Sequence, residues 1–231
     1  MSDASLNGAN IGRYLLMEER KIPIRSKKSN LTLKVIPGHF ATRNSHVNYY
    51  LDITTIKIRQ SEAKAAASCL VHDYKRDIII DTIVCLDGTE VLGAFLAEKL
   101  SESGFYTHNQ HNTIYIVTPE VDQFGQLFFR KNLQPMLQGK NTILLMASIT
   151  TGITIKQCME CIDFYGGHLE GISSIFSTID HYYGLPIYSI FSKNDIPDYH
   201  TYARHDCPYC QKKLPIEALV NGYGYSEINS L

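Results

Sequence analysis

Residues 140–167, KNTILLMASITTGITIKQCMECIDFYGG, constrain this chain more than any other stretch. Residues 142–147 form an apolar run of the length of a buried strand. Residues 148–154 follow, small and hydroxyl-rich, with one glycine. Ile155, Cys158, Met159 and Ile162 then recur at i, i+3, i+4 and i+7, the stripe of an amphipathic helix. Gly166 and Gly167 stop it. A buried strand, a small-residue turn and a helix form a ready anion site, because the first helical N–H groups lack intrahelical partners. Thr150, Thr151 and Thr154 add hydroxyl donors. The same residues also read as an ordinary strand-to-helix turn with threonine caps, and the pattern alone leaves both readings open.

Around this stretch, strands alternate with helices. A stripe of Ala63, Ala66, Ala67, Leu70, Val71 and Tyr74 predicts a helix over 61–74, with Ser61 as its cap. Residues 78–85 read as a buried strand, 86–90 (LDGTE) as a turn, and 91–100 as a helix facing inward through Leu92, Phe95, Leu96 and Leu100. Strands are expected at 113–117, 142–147, 169–176 and 187–191. That order implies an α/β fold: a parallel five-stranded sheet with helices on both faces and right-handed crossovers. The anion turn then falls at the carboxyl edge of the sheet, where such sheets bind ligands. Residues 104–112 read as a polar loop. Residues 118–139 have no clear period and are long for a connection, which suggests a mobile or functional loop. Upstream, residues 1–10 are small and polar, 12–20 are a modest helix candidate, and 31–36 alternate as a strand. Residues 22–30 read as a loop with Pro23. Their Arg25, Lys27 and Lys28 suit a solvated face better than a binding patch.

At 231 residues the chain can bury a sizeable core. A formal net charge of −1 gives no electrostatic case for nucleic acid or an anionic membrane. No apolar run approaches the length of a transmembrane helix. The first ten residues have no secretory pattern, so the 6 cysteines read as reduced thiols of a cytoplasmic protein. Cys69 reads as a packed thiol. Cys207-x-x-Cys210, with His200 and His205 upstream, has the spacing of half a zinc site. Its other readings are a redox pair and packed free thiols, and the free thiols are favoured. Cys158 and Cys161 form a second pair on the core helix. No Gly-x-Ser-x-Gly or His-Glu-x-x-His occurs, so hydrolase and zincin chemistry lack support.

LLMASITTGIT resembles the phosphoribosyl-diphosphate motif of type I phosphoribosyltransferases: a strand ending in two acidic residues, then a threonine- and glycine-rich phosphate loop. The resemblance places Ser148, Ile149, Thr150, Thr151, Gly152, Ile153 and Thr154 on the phosphate. The positions of the acidic pair hold Met146 and Ala147. Residues 37–55, PGHFATRNSHVNYYLDITT, are similar to the substrate-side segment of orotate phosphoribosyltransferases. Phe40, Tyr49 and Tyr50 match on the base side, with Asp52 closing the strand. The family's basic residue before the aromatic pair is absent, and His46 is the nearest substitute. Asp87, Gly88, Thr89 and Glu90 occupy the family's pyrophosphate turn, with two carboxylates where negative charge must be accepted. They also read simply as an Asp-Gly turn with a helix-start glutamate. TPEVDQFGQ carries acids where the family's covering loop is basic, leaving Arg130 and Lys131. The orotate-anchoring Arg has no counterpart at Ser177, Thr178 or Ile179. The tail, with its Cys-Pro-x-Cys and Pro-Ile-Glu, is similar to that of a subset of the orotate enzymes. The matching pieces span roughly residues 36–220, in the family's order.

The resemblance implies a single domain with a core over about 56–194 and a hood from about 1–55 and 195–231, assembled as a homodimer. It also implies a phosphorylated small-molecule partner, a nucleotide or phosphoribosyl diphosphate, and a place in nucleotide metabolism and pyrimidine biosynthesis. Magnesium is expected only if the protein is active. With the acidic pair gone, no catalytic residue is assigned. The expected function is phosphate or nucleotide binding at the Thr150–Thr154 loop without normal orotate phosphoribosyltransferase activity. The alternative is an active enzyme transferring ribose 5-phosphate to orotate or another base, with Asp87 and Glu90 holding the metal.

Overall fold

The structure is a computed structural model that describes residues 17–74, 79–102 and 113–228. The chain opens with three strands, β1 (Ile22–Arg25), β2 (Thr32–Ala41) and β3 (His46–Asp52), followed by α1 (Thr54–Ile58) and α2 (Gln60–Leu70). Next come β4 (Thr82–Cys85), α3 (Glu90–Ser101) and β5 (Tyr115–Val117). A small hairpin of β6 (Glu120–Val121) and β7 (Leu127–Phe128) leads to β8 (Asn141–Ile149), α4 (Ile153–Phe164) and β9 (His168–Ser177). The rest is β10 (His181–Tyr182), β11 (Leu185–Ser192), β12 (Thr201–Tyr202), α5 (Pro208–Gln211), β13 (Ala218–Asn221) and β14 (Gly224–Glu227).

The central sheet has the order β10-β11-β9-β8-β4-β5. All neighbours from β11 to β5 pair in parallel, and β10 adds an antiparallel edge. This is the parallel five-stranded sheet the sequence implies, with one short strand more. β8 shows why helices cover both faces. Successive strand side chains point to opposite sides. Ile143, Leu145 and Ala147 join one buried cluster with Ala63 and Ala66 of α2 and Leu92 and Leu96 of α3. Leu144 and Met146 join the other, with Ile155, Cys158 and Ile162 of α4. A strand buried on both faces has no polar alternation to show, which is why 142–147 reads as a continuous apolar run.

A second sheet, β12-β3-β2-β13-β14 with β1 on β2, joins the two ends of the described chain. β13 lies parallel to β2, pairing Ala218 with Phe40. Glu217 fixes that register: its N–H donates to the His39 carbonyl at 2.8 Å, and its carboxylate accepts the His39 N–H at 3.1 Å.

Several expectations need correction. Residues 22–25 are a strand, not a loop, and Pro23 is tolerated because β1 pairs on one side only. Residues 118–139, for which the sequence shows no period, hold the β6–β7 hairpin and a 3₁₀ turn at Gln134–Met136. Ser61 does not cap α2, which begins at Gln60 without a side-chain cap. The helix expected over 12–20 is a 3₁₀ turn at Met17–Arg20, its earlier part lying outside the described residues, as do residues 1–10 and the loop expected at 104–112. Among the described residues, no helix is long and apolar enough to cross a membrane.

Candidate functional site

The carboxyl ends of β4, β5 and β8 open into a cleft of about 330 Å³, whose other wall comes from β3 and from the β13–β14 turn. Its floor is the passage from β8 into α4. β8 runs two residues further than the apolar run suggests, so Ser148 and Ile149 belong to the strand. Gly152 then stands at the N-cap of α4 with φ 75°. That left-handed backbone favours glycine, and a Cβ there would also meet the Tyr182 ring at 2.5 Å. The loop is fastened from below: the Thr178 N–H donates to the Ile149 carbonyl at 3.0 Å, and the Thr178 hydroxyl to the Thr150 carbonyl at 2.6 Å. No side chain caps α4, so the threonines of this turn are not the caps their pattern allows. All residues from Ser148 to Thr154 line the cleft, and the leading amides of α4 meet it uncapped.

Asp87 and Gly88 both have left-handed backbone, φ 58° and 75°. Asp87 lines the cleft, whereas Gly88, Thr89 and Glu90 do not. Thr89 is fully buried, its hydroxyl donating to the carbonyls of Leu86 at 2.8 Å and Leu145 at 3.2 Å. Glu90 accepts the Thr118 hydroxyl at 2.9 Å. Burial pushes the Asp87 carboxyl above its ordinary pKa, against the opposing pull of Lys57 and a bond from the Ala147 backbone.

Lys57 is a residue that the sequence reading missed. It is 4% exposed, and its Nζ donates to the carbonyls of Asp87 at 2.7 Å and Gly222 at 2.6 Å. It also lies 5.6 Å from the centre of the Tyr223 ring. Burial pulls its pKa down, while Asp87 and Glu90 resist that shift. Gly222 packs so closely that a Cβ would fall 2.3 Å from Asp87 Cγ. The tail turn is thereby pinned against the β4–α3 turn.

Of the residues that the resemblance assigns to the base, Tyr49 and Tyr50 line the cleft, and Tyr49 stacks on Tyr199 at 6.4 Å. Burial, with Asp52 nearby, pushes the Tyr50 phenol up to about 12. Phe40 does not belong there: it is fully buried core and is not among the lining residues. Asp52 is also absent from the lining and pairs with Lys21 at 3.1 Å.

Met146 lines the cleft, while Ala147 is fully buried on the opposite face of β8. The only acidic side chain among the lining residues is Asp87, and the only basic one is Arg43. Arg130 is bound two-pronged to Glu120, at 2.8 and 2.7 Å. One carboxylate does not make the acidic pair that positions ribose and metal, so the residues present do not fit a protein-held magnesium site.

Cys207 and Cys210 do not meet the upstream histidines. His205 is exposed beside Asp206, at 3.3 Å, and His200 stacks on Tyr202 at 5.8 Å. Their neighbours are His39 and His46, so His46 is turned away from any base-side role.

No family model matches the chain. Solved structures to which it is similar are phosphoribosyltransferases. One is the orotate phosphoribosyltransferase of Mycobacterium tuberculosis H37Rv, at 14% identity over 71% of this chain and 93% of that one, with a TM-score of 0.48. A second is the UMP synthase of Leishmania donovani, at 12% identity over 69% of this chain and 34% of that one, with a TM-score of 0.49. A third is the adenine phosphoribosyltransferase of Thermoanaerobacter pseudethanolicus, at 15% identity over 76% and 97%, with a TM-score of 0.47. The fold reading rests on the strand order above, not on these likenesses.

Proposed function

We propose that this chain is a phosphoribosyltransferase-like binding protein. It holds the phosphate of a nucleotide or of phosphoribosyl diphosphate on the Thr150–Thr154 loop, and it does not transfer phosphoribose to orotate at a normal rate. The observation that carries this is the uncapped start of α4 at the floor of a cleft whose lining includes one carboxylate. Uncapped amides and the helix dipole favour an anion there, and Thr150, Thr151 and Thr154 supply hydroxyl donors. Tyr49 and Tyr50 offer flat apolar faces for a base on the opposite wall. The resemblance to the orotate enzymes adds a homodimer to the proposal, to be checked by size-exclusion with light scattering.

The test is a thermal-shift and calorimetric series with phosphoribosyl diphosphate, orotidylate, uridylate and inorganic phosphate, each with and without magnesium. A ligand at a hundredfold its dissociation constant stabilises by about 2.7 kcal/mol. Stabilisation by at least one phosphorylated ligand is expected, and no shift with any of them would overturn the reading.

A further inference from the structure

We propose that His39, His46, Cys207 and Cys210 form a structural zinc site that fastens the tail of the chain to the β2–β3 hairpin. One ligand atom from each lies within 4.8 Å of every other. His39 Nε2 is 3.1 Å from His46 Nδ1. Cys207 Sγ is 3.5 Å and Cys210 Sγ 3.7 Å from His39 Nε2, and Cys210 Sγ is 3.3 Å from His46 Nδ1. A tetrahedral zinc with ordinary bond lengths sets its nitrogens about 3.3 Å apart and each sulfur about 3.6 Å from each nitrogen. The four separations match four of the six edges of that tetrahedron.

Hydrogen bonding alone accounts poorly for the arrangement. His39 Nδ1 is 3.1 Å from the carbonyls of both Leu214 and Pro215. Only an N–H can satisfy a carbonyl, so the proton of neutral His39 sits on Nδ1 and Nε2 is a bare lone pair. That single lone pair is approached by three groups: one imidazole nitrogen and two sulfurs. A cation at their centre gives all four donors a partner. The bond from Nδ1–H to a backbone carbonyl is the outer support that ligating histidines ordinarily have. Charge agrees as well. Two thiolates neutralise Zn²⁺, which suits a site where His39, His46 and Cys207 are all buried. A disulfide is not the alternative, because both cysteines are free.

The fold holds the ligands from both sides. His39 and His46 face each other across the β2–β3 turn, where the register shifts between Pro37 and Phe40. Glu217 bonds the His39 backbone twice. Tyr209, between the two cysteines, stacks on the His39 ring at 5.2 Å. Pro208 opens α5 immediately after Cys207. β13 begins at Ala218, and its turn delivers Gly222 and Tyr223 to the cleft. The metal would therefore set one wall of the cleft, although the site stands apart from the phosphate-binding proposal and is tested without it.

The experiment is metal analysis of the full chain purified without chelator, followed by removal of the metal and titration with Zn²⁺ and Co²⁺. One equivalent of zinc per chain is expected, with a tetrahedral cobalt spectrum carrying thiolate-to-cobalt charge transfer. Cys210 is exposed, so Cys210→Ala is expected to fold and to bind zinc about a hundredfold or more weaker. Cys69→Ala, away from the cluster, is expected to bind as the parent does. A chain that takes up neither metal, an octahedral cobalt spectrum, or unchanged affinity in Cys210→Ala would each overturn the proposal.

Discussion

Lys57 and Asp87, 30 positions apart in the chain, are joined through a bond of 2.7 Å from the lysine ammonium to the aspartate carbonyl. The same ammonium reaches the Gly222 carbonyl, so one buried charge ties α1, the β4–α3 turn and the tail into a single wall. Lys57→Met keeps most of the side chain's length but leaves two buried carbonyls without their donor and Asp87 without the charge of Lys57. Stability is expected to fall by about 2–3 kcal/mol in urea denaturation. A loss below about 0.5 kcal/mol, the range of an ordinary surface change, would show that water replaces the lysine freely.

Gly152→Ala tests the floor of the cleft. Alanine at φ 75° is strained by about 1–2 kcal/mol, and its Cβ would press on the Tyr182 ring. Tyr182 is on a two-residue edge strand and can move. In a Tyr182→Ala background only the backbone part of the cost should remain. Equal losses in both backgrounds would show that the ring contributes nothing.

Much of the fold was legible because its signals are local. A two-face-buried strand reads as an apolar run, and α4 reads as a stripe from Ile155 to Ile162. The site was less legible because its parts are distant in the chain. Lys57 sits in TTIKI and looks like any helix-face lysine; only the approach of Gly222, 165 positions later, makes it a clamp. His39 and His46 are 168 and 164 positions from the cysteines they meet, so the nearer His200 and His205 drew attention instead. Phe40 matches a family pattern by position, yet strand alternation turns it inward. The failed expectation for Pro23 has a simpler cause: an edge strand tolerates a proline that a central one does not.

Acid should weaken the link between the N-terminal segment and β3. Burial works to raise the Asp52 carboxyl, but the bonds and charge of Lys21 and the bonds from Thr54 outweigh it, leaving the pKa below the ordinary aspartate value. A depressed folded-state pKa stabilises the protein above the unfolded value, and that stability is lost as pH falls through the folded one. The wild type should therefore lose stability below about pH 4 more steeply than Asp52→Asn. Asp87 has the opposite sign. Its raised pKa means that folded protein gains stability as pH falls from that raised value toward the ordinary one. Asp87→Asn should remove that gain, and parallel pH profiles for all three proteins would contradict both assignments.

Thr151→Glu places a carboxylate at the exposed tip of the proposed phosphate loop. Repulsion of an anion at that distance should abolish stabilisation by phosphorylated ligands, while the ligand-free protein keeps its stability within about 0.5 kcal/mol. Thr151→Ser, which retains the hydroxyl, should bind normally. Binding that survives the glutamate would place the anion elsewhere in the cleft.

Orotidylate formation is expected to be far below that of an ordinary orotate phosphoribosyltransferase. The reaction passes through a positively charged ribosyl centre as pyrophosphate leaves. It needs carboxylates on the ribose and metal, cations on the departing diphosphate, and a group that orients the base. Here the strand end offers Met146 in the cleft and Ala147 in the core. Arg130 is engaged by Glu120. Ser177 donates to the Ile179 carbonyl at 2.5 Å and Thr178 to that of Thr150, so Thr178 is engaged in holding the loop, and this segment offers no arginine. Each such loss costs on the order of 10²–10³ in rate, and they are not additive. Restoring the pair should not be simple either. Met146 borders the cleft but is 3% exposed, and Ala147 is fully buried on the opposite face, so an aspartate at either position buries a charge and should cost about 3 kcal/mol or more. The deciding measurement is a coupled assay with phosphoribosyl diphosphate, orotate and magnesium. A rate within about a hundredfold of an active member would show that Asp87 and the bound substrate supply what Met146 and Ala147 do not.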